Sequence, residues 1–269
     1  MDSVLDLLRE RHGRDGWEPV TEGMSGAGVW RAEGAGRACF VKVVDGRGER
    51  PGAGHALEAE AERSAWLRDK GLPAPPVLEF GTRDGVTWLV TAALPGRSAA
   101  APWPAERRDG VVDALAGLAR SLHALPVADC PFDQSLKVTV AQARDAAANG
   151  SVELDQLDDE RAGWDEARLL AALDLTRPAV EDLVVCHGDL CLPNVLLDPV
   201  SLRVTGVIDL GRLGVADRHA DLALMARSIA DEWLNSQYDG EHVRRFLRAY
   251  GGETDPERLA FYRLLDEFF

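Results

Sequence analysis

Short β-type runs dominate the first hundred residues. Val29-Trp30-Arg31-Ala32 and the run Ala38 to Val44 flank Glu33-Gly34-Ala35-Gly36-Arg37, which reads as two antiparallel strands joined by a turn. Residues 55–69, rich in Ala, Glu and Leu, read as a helix ended by Gly71 and Pro73. Val77-Leu78-Glu79-Phe80 and Val86-Thr87-Trp88-Leu89-Val90 follow as strands, with Asp84-Gly85 as the turn between them. After Leu94-Pro95-Gly96 the pattern changes. Val111, Leu115, Leu118 and Leu122 fall at helical spacing, and further helical patterns cover roughly 137–148, 166–174, 220–234, 241–250 and 256–268. Within 183–209 lie two short β-type runs, Val195-Leu196-Leu197 and Val204 to Ile208. The predicted architecture is α+β in two lobes. Residues 1–94 form a small antiparallel-sheet lobe with one main helix, and 95–269 a larger, mainly helical one, with a hinge at about 91–96.

Composition narrows this picture by exclusion. A chain of 269 residues with 46% hydrophobic positions can bury a substantial core, so disorder is not expected. Its four cysteines (Cys39, Cys130, Cys186 and Cys191) are scattered and include no CxxC pair, which favours reduced thiols in a cytoplasmic protein. The N-terminal Met1 to Glu10 carries acids where a signal peptide needs bases. No apolar run approaches the roughly 20 residues that span a bilayer. A net charge of -15 argues against nucleic-acid and anionic-membrane partners and is compatible with a cationic ligand.

One stretch carries chemistry. Phosphoryl transfer needs a carboxylate to orient an attacking hydroxyl, oxygen ligands for magnesium, and a cation on the phosphates. The segment from Cys186 offers these types in order: Asp189 after the apolar run Leu183-Val184-Val185, Asn194 five residues on, and Asp209 at the end of a strand.

His187-Gly188-Asp189, Asn194 and Ile208-Asp209 resemble the catalytic and metal-binding loops of the aminoglycoside phosphotransferases, small-molecule relatives of the protein kinases. The 3'-phosphotransferases acting on kanamycin- and neomycin-like drugs are similar over nearly the whole chain. Thr21 to Ala27, Leu183 to Asn194, Val207 to Asp221 and the terminal Leu264 to Phe269 carry the likeness. The resemblance implies a protein-kinase-like fold, ATP and Mg2+ as cofactors, a cationic aminoglycoside as substrate, and a monomer or weak dimer. It makes Asp189 the catalytic carboxylate and Asn194 and Asp209 the magnesium ligands. Lys42 would pair with the phosphates and be held by a helical glutamate. Glu58, Glu60 and Glu62 are candidates by composition, and the family pattern Glu-x-x-Arg-x-x-Trp-Leu selects Glu60. Ser25, in the loop Met24-Ser25-Gly26, would cover the phosphates with backbone N–H groups. Phe40 would stack on adenine, and the backbone from Thr91 to Ala93 would read its edge. On the acceptor side the likeness implies Asp155 and Asp158, Glu267 and the terminal carboxylate of Phe269, with Arg212 and Arg227 orienting carboxylates or hydroxyls. Gly26, and Cys191-Leu192-Pro193 inside the catalytic loop, depart from the family pattern or lack a role in it.

Other classes fit less well. No GxxxxGK[ST] run marks a P-loop kinase. Gly23-Met24-Ser25-Gly26-Ala27 is a near miss to the G-x-S-x-G nucleophile elbow, but Val29-Trp30-Arg31 continues as strand where that elbow needs a helix. His187-x-Asp189 with His219-x-Asp221 would be needed for a metal-dependent hydrolase. A non-catalytic module of kinase-like shape is disfavoured because every expected catalytic group is present. The rival within the fold is a kinase acting on another small alcohol.

Overall fold

A computed structural model describes residues 1–13, 16–20, 28–34, 37–46 and 53–269. In chain order the elements are α1 (Asp2–His12), β1 (Glu18–Pro19), β2 (Gly28–Gly34), β3 (Arg37–Asp45), α2 (Ala53–Asp69), β4 (Val77–Arg83), β5 (Val86–Ala92) and β6 (Arg97–Ser98). There follow α3 (Ala105–His123), α4 (Leu136–Ala148), α5 (Glu166–Thr176), β7 (Leu183–Cys186), β8 (Val195–Leu197), β9 (Val204–Val207), β10 (Gly214–Asp217), α6 (His219–Ala230), α7 (Gly240–Tyr250) and α8 (Pro256–Asp266). The chain is α+β and divides into two compact units, Met1–Gly96 with Thr205–Gly211, and Arg97–Val204 with Arg212–Phe269.

The first unit is built on an antiparallel sheet ordered β1-β2-β3-β5-β4. Strand β3 alternates cleanly. Cys39, Val41 and Val43 are buried, while Phe40 and Lys42 are half-buried on the opposite face. The buried set packs with Val4, Leu5 and Leu8 of α1 and with Trp88 and Val90. Helix α2 covers other positions, where Leu57 meets Val44 and Leu89. The hairpin β4–β5 turns at Asp84 and Gly85, both at positive φ (51° and 79°), as an Asp-Gly pair predicts. Segment 205–211 is fastened to this unit by Thr205 Oγ1 donating to Pro95 O (2.6 Å) and Val207 N–H donating to Pro73 O (2.8 Å).

The second unit is helical. Leu136 and Val140 of α4, Leu169 and Leu173 of α5, and Phe261, Leu264 and Leu265 of α8 share one core. Helix α8 starts where Asp255 accepts the N–H groups of Glu257 and Arg258, with Pro256 in the first turn. The antiparallel pair β7–β10 aligns Cys186 with Gly214 and delivers the chain to His187.

Besides the two-residue strands β1 and β6, three features differ from the sequence reading. Helix α1 is present although its pattern predicts no element; Val4, Leu5 and Leu8 bury one face of it. Strand β10 exists through pairing with a partner some thirty residues away, which local pattern does not reveal. The helix expected over 220–234 stops at Ala230. The Asp231 carboxylate takes the Trp233 and Leu234 N–H groups (3.0 and 2.8 Å), offering the backbone an alternative to the helix.

Candidate active site

Strand β3 aims Lys42 at two carboxylates of its own unit. Its Nζ donates to Glu60 Oε1 and Oε2 at 2.7 and 2.8 Å, and to Asp209 Oδ1 at 3.2 Å. Glu60, the glutamate selected by the family pattern, is buried on α2. Burial opposes the ammonium charge, but Glu60 and Asp209 outweigh it and raise the Lys42 pKa. Asp209 follows β9 in the left-handed region (φ 62°), a conformation an aspartate rarely holds without support. Phe40, two residues before Lys42 and on the same face, pairs across the ladder with Thr91. The N–H of Ala93 donates to Ala38 O at 3.0 Å, so an adenine edge reading that group has a competitor. Ser25 and the rest of its loop lie outside the described residues.

In the second unit, a buried scaffold shapes the turn that carries Asp189. The Asp221 carboxylate, fully buried on α6, accepts the backbone N–H groups of His187 (2.8 Å) and Gly188 (2.9 Å). His123 of α3 reaches the same carboxylate (3.1 Å), and its other ring nitrogen meets the Tyr250 hydroxyl (2.8 Å). Burial would raise the Asp221 pKa, yet the bond to His123 and the neighbouring histidines carry it below its ordinary value. Gly188 sits at φ 83°, and a Cβ there would overlap the Arg212 carbonyl oxygen, so only glycine fits. His187 is fully buried, and its Nδ1 accepts the Asp189 N–H at 3.2 Å. Asn194 Nδ2 donates to Asp189 O and to Asp189 Oδ2, both at 3.0 Å. With its amide nitrogen so engaged, the Asn194 side-chain oxygen is the atom left to act as a ligand.

The residues implied for the acceptor gather around the C-terminal end of α8, and arginines run through them. Asp266 receives Arg212 Nη1 at 2.8 Å on one carboxylate oxygen and Arg227 Nη2 on the other. Burial raises the Asp266 pKa, but the two guanidiniums win and lower it. Arg212 is itself flanked by Asp189, which with Asp266 keeps its pKa raised against burial. Its guanidinium lies over the Phe269 ring, 4.8 Å from the centre. Glu267 accepts from Arg161 Nη1 at 3.0 Å and, at longer range, from the Asp158 N–H. Asp158 is shared between Arg161 (3.3 Å) and Arg227 (3.8 Å). Asp155 is exposed and stands outside this network. Asp158, Arg212, Arg227, Glu267 and Phe269 thus cluster. Asp266 and Arg161 were missed by the sequence reading, although Asp266 adjoins Glu267 and Arg161 lies one turn from Asp158.

His219 and Asp221 do not face one another. The His219 ring donates from Nδ1 to Asp217 (2.7 Å), while Asp221 accepts the His187 and Gly188 N–H groups, so this histidine and carboxylate are engaged elsewhere. His123, Cys186 and Asp221 approach closely enough to hold a metal, but Asp221 already accepts two backbone N–H groups and His123, and burial pushes the Cys186 thiol pKa up. Among the described residues, no helix is long and apolar enough to cross a membrane.

Comparison with known proteins converges on one family. Residues 16–262 match the model of the phosphotransferase enzyme family. An aminoglycoside 3'-phosphotransferase of Streptomyces fradiae is 51% identical, over 97% of this chain and 98% of its own length. The crystal structure of an aminoglycoside 3'-phosphotransferase of type VIII superposes with a TM-score of 0.91 at 56% identity, covering 100% of this chain and 99% of that one. An aminoglycoside phosphotransferase of the 3'' type from Streptomyces rimosus, in complex with ADP and streptomycin, superposes with a TM-score of 0.82 at 36% identity, covering 99% and 97%.

Proposed function

This chain belongs to the phosphotransferase enzyme family, and we propose that it transfers the γ-phosphoryl group of ATP to the 3'-hydroxyl of an aminoglycoside antibiotic, conferring resistance. The observation that carries the reading is the Asp189 turn. A carboxylate is held in place there by Asn194, His187 and Asp221 in a chain about half identical to a 3'-phosphotransferase.

Asp189 orients the acceptor hydroxyl and takes its proton as the new oxygen–phosphorus bond forms and the bond to the departing ADP breaks. Lys42, fixed by Glu60, steadies the phosphates. Phe40 offers a ring for adenine. The Asn194 amide oxygen and the Asp209 carboxylate are hard donors of the type magnesium prefers. When bound, that ion would neutralise phosphate charge. Asp155, Asp158, Glu267 and the Phe269 carboxylate receive ammonium groups of the acceptor, while Arg212 and Arg227 hold Asp266 and its neighbours in position. We place the enzyme in the cytoplasm, where ATP is available, acting as a monomer or weak dimer, with residues 1–94 binding nucleotide and 95–269 binding the acceptor.

The Streptomyces rimosus relative with bound streptomycin motivates a second reading, a kinase of the same fold acting on another hydroxyl. ADP release is to be measured with kanamycin, with a 3'-deoxy analogue and with streptomycin. Turnover with kanamycin alone of the three is expected. Turnover with streptomycin but not kanamycin would favour the second reading, and full activity on the deoxy analogue would exclude the 3' site.

A further inference from the structure

Arg161 is the one buried charged residue of the 153–161 segment. It closes a single turn of 3-10 helix (Asp159–Arg161) directly after the acidic run, with its side chain only 8% exposed. Its Nη1 lies 3.0 Å from Glu267 Oε1 and 3.3 Å from Asp158 Oδ2, and its Nη2 is 3.9 Å from Glu160. Glu267 is more deeply buried, at 4% side-chain exposure. The Asp158 N–H also points at both Glu267 oxygens, at 3.4 and 3.3 Å, so loop and C-terminus share one acid cluster.

We propose that Arg161 is a positioning residue for aminoglycoside binding, joining the Asp158 segment to Glu267 so that both carboxylates are held for the acceptor's ammonium groups. The inference rests on the aminoglycoside reading above. Its physical basis is the cost of crowding two carboxylates in a poorly solvated place. One of them binds a proton unless a cation sits beside it, and a protonated carboxyl cannot receive an ammonium ion. The charged groups in this cluster are Asp158, Glu160 and Arg161 from the loop, Arg212 before β10, Arg227 from α6, Arg263 and Asp266 from α8, and Glu267 just after it. Arg227 is spent largely on Asp266, and Arg263 reaches only Glu160, at 4.0 Å. Arg161 is therefore the cation in direct contact with both Asp158 and Glu267. Burial and the Asp158 charge raise the Glu267 pKa against the Asp158 N–H and Arg161, and removing the guanidinium takes away part of that offset.

The test compares the whole protein with Arg161→Ala, Arg161→Lys and Arg161→Ala in a Glu267→Gln background. KM for kanamycin and for ATP, kcat, and calorimetric kanamycin affinity are measured between pH 6 and 9. Arg161→Ala should raise the kanamycin KM about tenfold at neutral pH, the scale of a lost charge-assisted contact, and leave the ATP KM unchanged. As pH falls, its kanamycin KM should climb from a higher pH than in the natural protein. Arg161→Lys should recover most of the loss, and Glu267→Gln should abolish the shifted pH dependence. An unchanged kanamycin KM overturns the proposal, as does a pH-independent loss shared with ATP, which marks mere structural damage. If the natural protein neither binds nor phosphorylates kanamycin, the aminoglycoside reading itself fails and this proposal with it. Normal kanamycin turnover with an indifferent Arg161 variant refutes the proposal alone.

Discussion

Asn194 reaches Asp189 twice through one amide nitrogen, at the backbone oxygen and at carboxylate Oδ2, each at 3.0 Å. The contact fixes both the loop and the side-chain rotamer of the proposed catalytic carboxylate. Asp189→Ala should lower kcat by about 10²–10⁴-fold, the loss typical of a removed acid–base group. Asn194→Ala should fall short of that but also reduce kcat. Steady-state kinetics with nucleotide titration provides the check: an ATP KM near normal is expected for Asp189→Ala, and near-normal turnover would refute the assignment.

Gly188→Ala tests the turn itself. The alanine would have to adopt φ near 83° with its methyl group against the Arg212 carbonyl. A destabilisation of about 2–4 kcal/mol is expected from strain and overlap together. Urea unfolding would report it, and a midpoint like that of the natural protein would contradict the geometry.

On the nucleotide side, Glu60→Gln removes the partner that grips Lys42 with both carboxylate oxygens. The ATP KM should rise by roughly tenfold, the equivalent of one lost charge-assisted bond, while the kanamycin KM stays put. A reversed pattern, with the acceptor constant moving and the ATP constant fixed, would count against Lys42 as a phosphate ligand.

Acid stability should depend on Asp266. Its folded pKa lies below the ordinary 3.8 because Arg212 and Arg227 hold the carboxylate charged. Protonation therefore favours the unfolded chain. The contribution is complete above the ordinary value and drains away as pH falls through the lower folded one. Asp266→Asn should flatten that acid limb in pH-dependent melts. At neutral pH the variant should cost about 1–3 kcal/mol, because two guanidiniums, each about a third exposed, lose the charge of their shared partner. A variant that melts like the natural protein at every pH would show the clamp to be inert.

Appending residues after Phe269, whose ring lies against the Arg212 guanidinium, replaces the terminal carboxylate proposed to receive the acceptor. The kanamycin KM should rise and the ATP KM should not. Identical acceptor kinetics in tagged and untagged protein would remove the terminus from the binding site.

Much of this was legible in the order of residues. The strands around Lys42 and the helix bearing Glu60 follow from short-range pattern, and Lys42, Glu60 and Asp209 do meet. The turn at Asp84-Gly85 was equally plain. Less legible were residues whose meaning comes from distant partners. Asp221 was read only in a His219-x-Asp221 pair and at the end of a family-like segment, yet it organises the His187-Gly188 backbone from 34 and 33 residues away. Asp266 and Arg161 belong to ion pairs closed across 54 and 106 residues. No local spacing encodes such pairs, because the fold and not the chain makes them neighbours. The arginines near the proposed acceptor site, Arg161 as well as the expected Arg212 and Arg227, clamp every implied side-chain carboxylate there except Asp155.

Segment 205–211 joins the first unit although more than a hundred residues of the second unit precede it. During synthesis, the first 96 residues leave the ribosome without Asp209. Lys42 then has Glu60 but lacks its second acid until the chain has grown past position 209. A fragment cut at residue 96 inherits the same deficit, so a split version of this protein designed at that boundary would carry its lysine in an unfinished electrostatic setting. A workable split would need to carry residues 205–211 together with the amino-terminal piece.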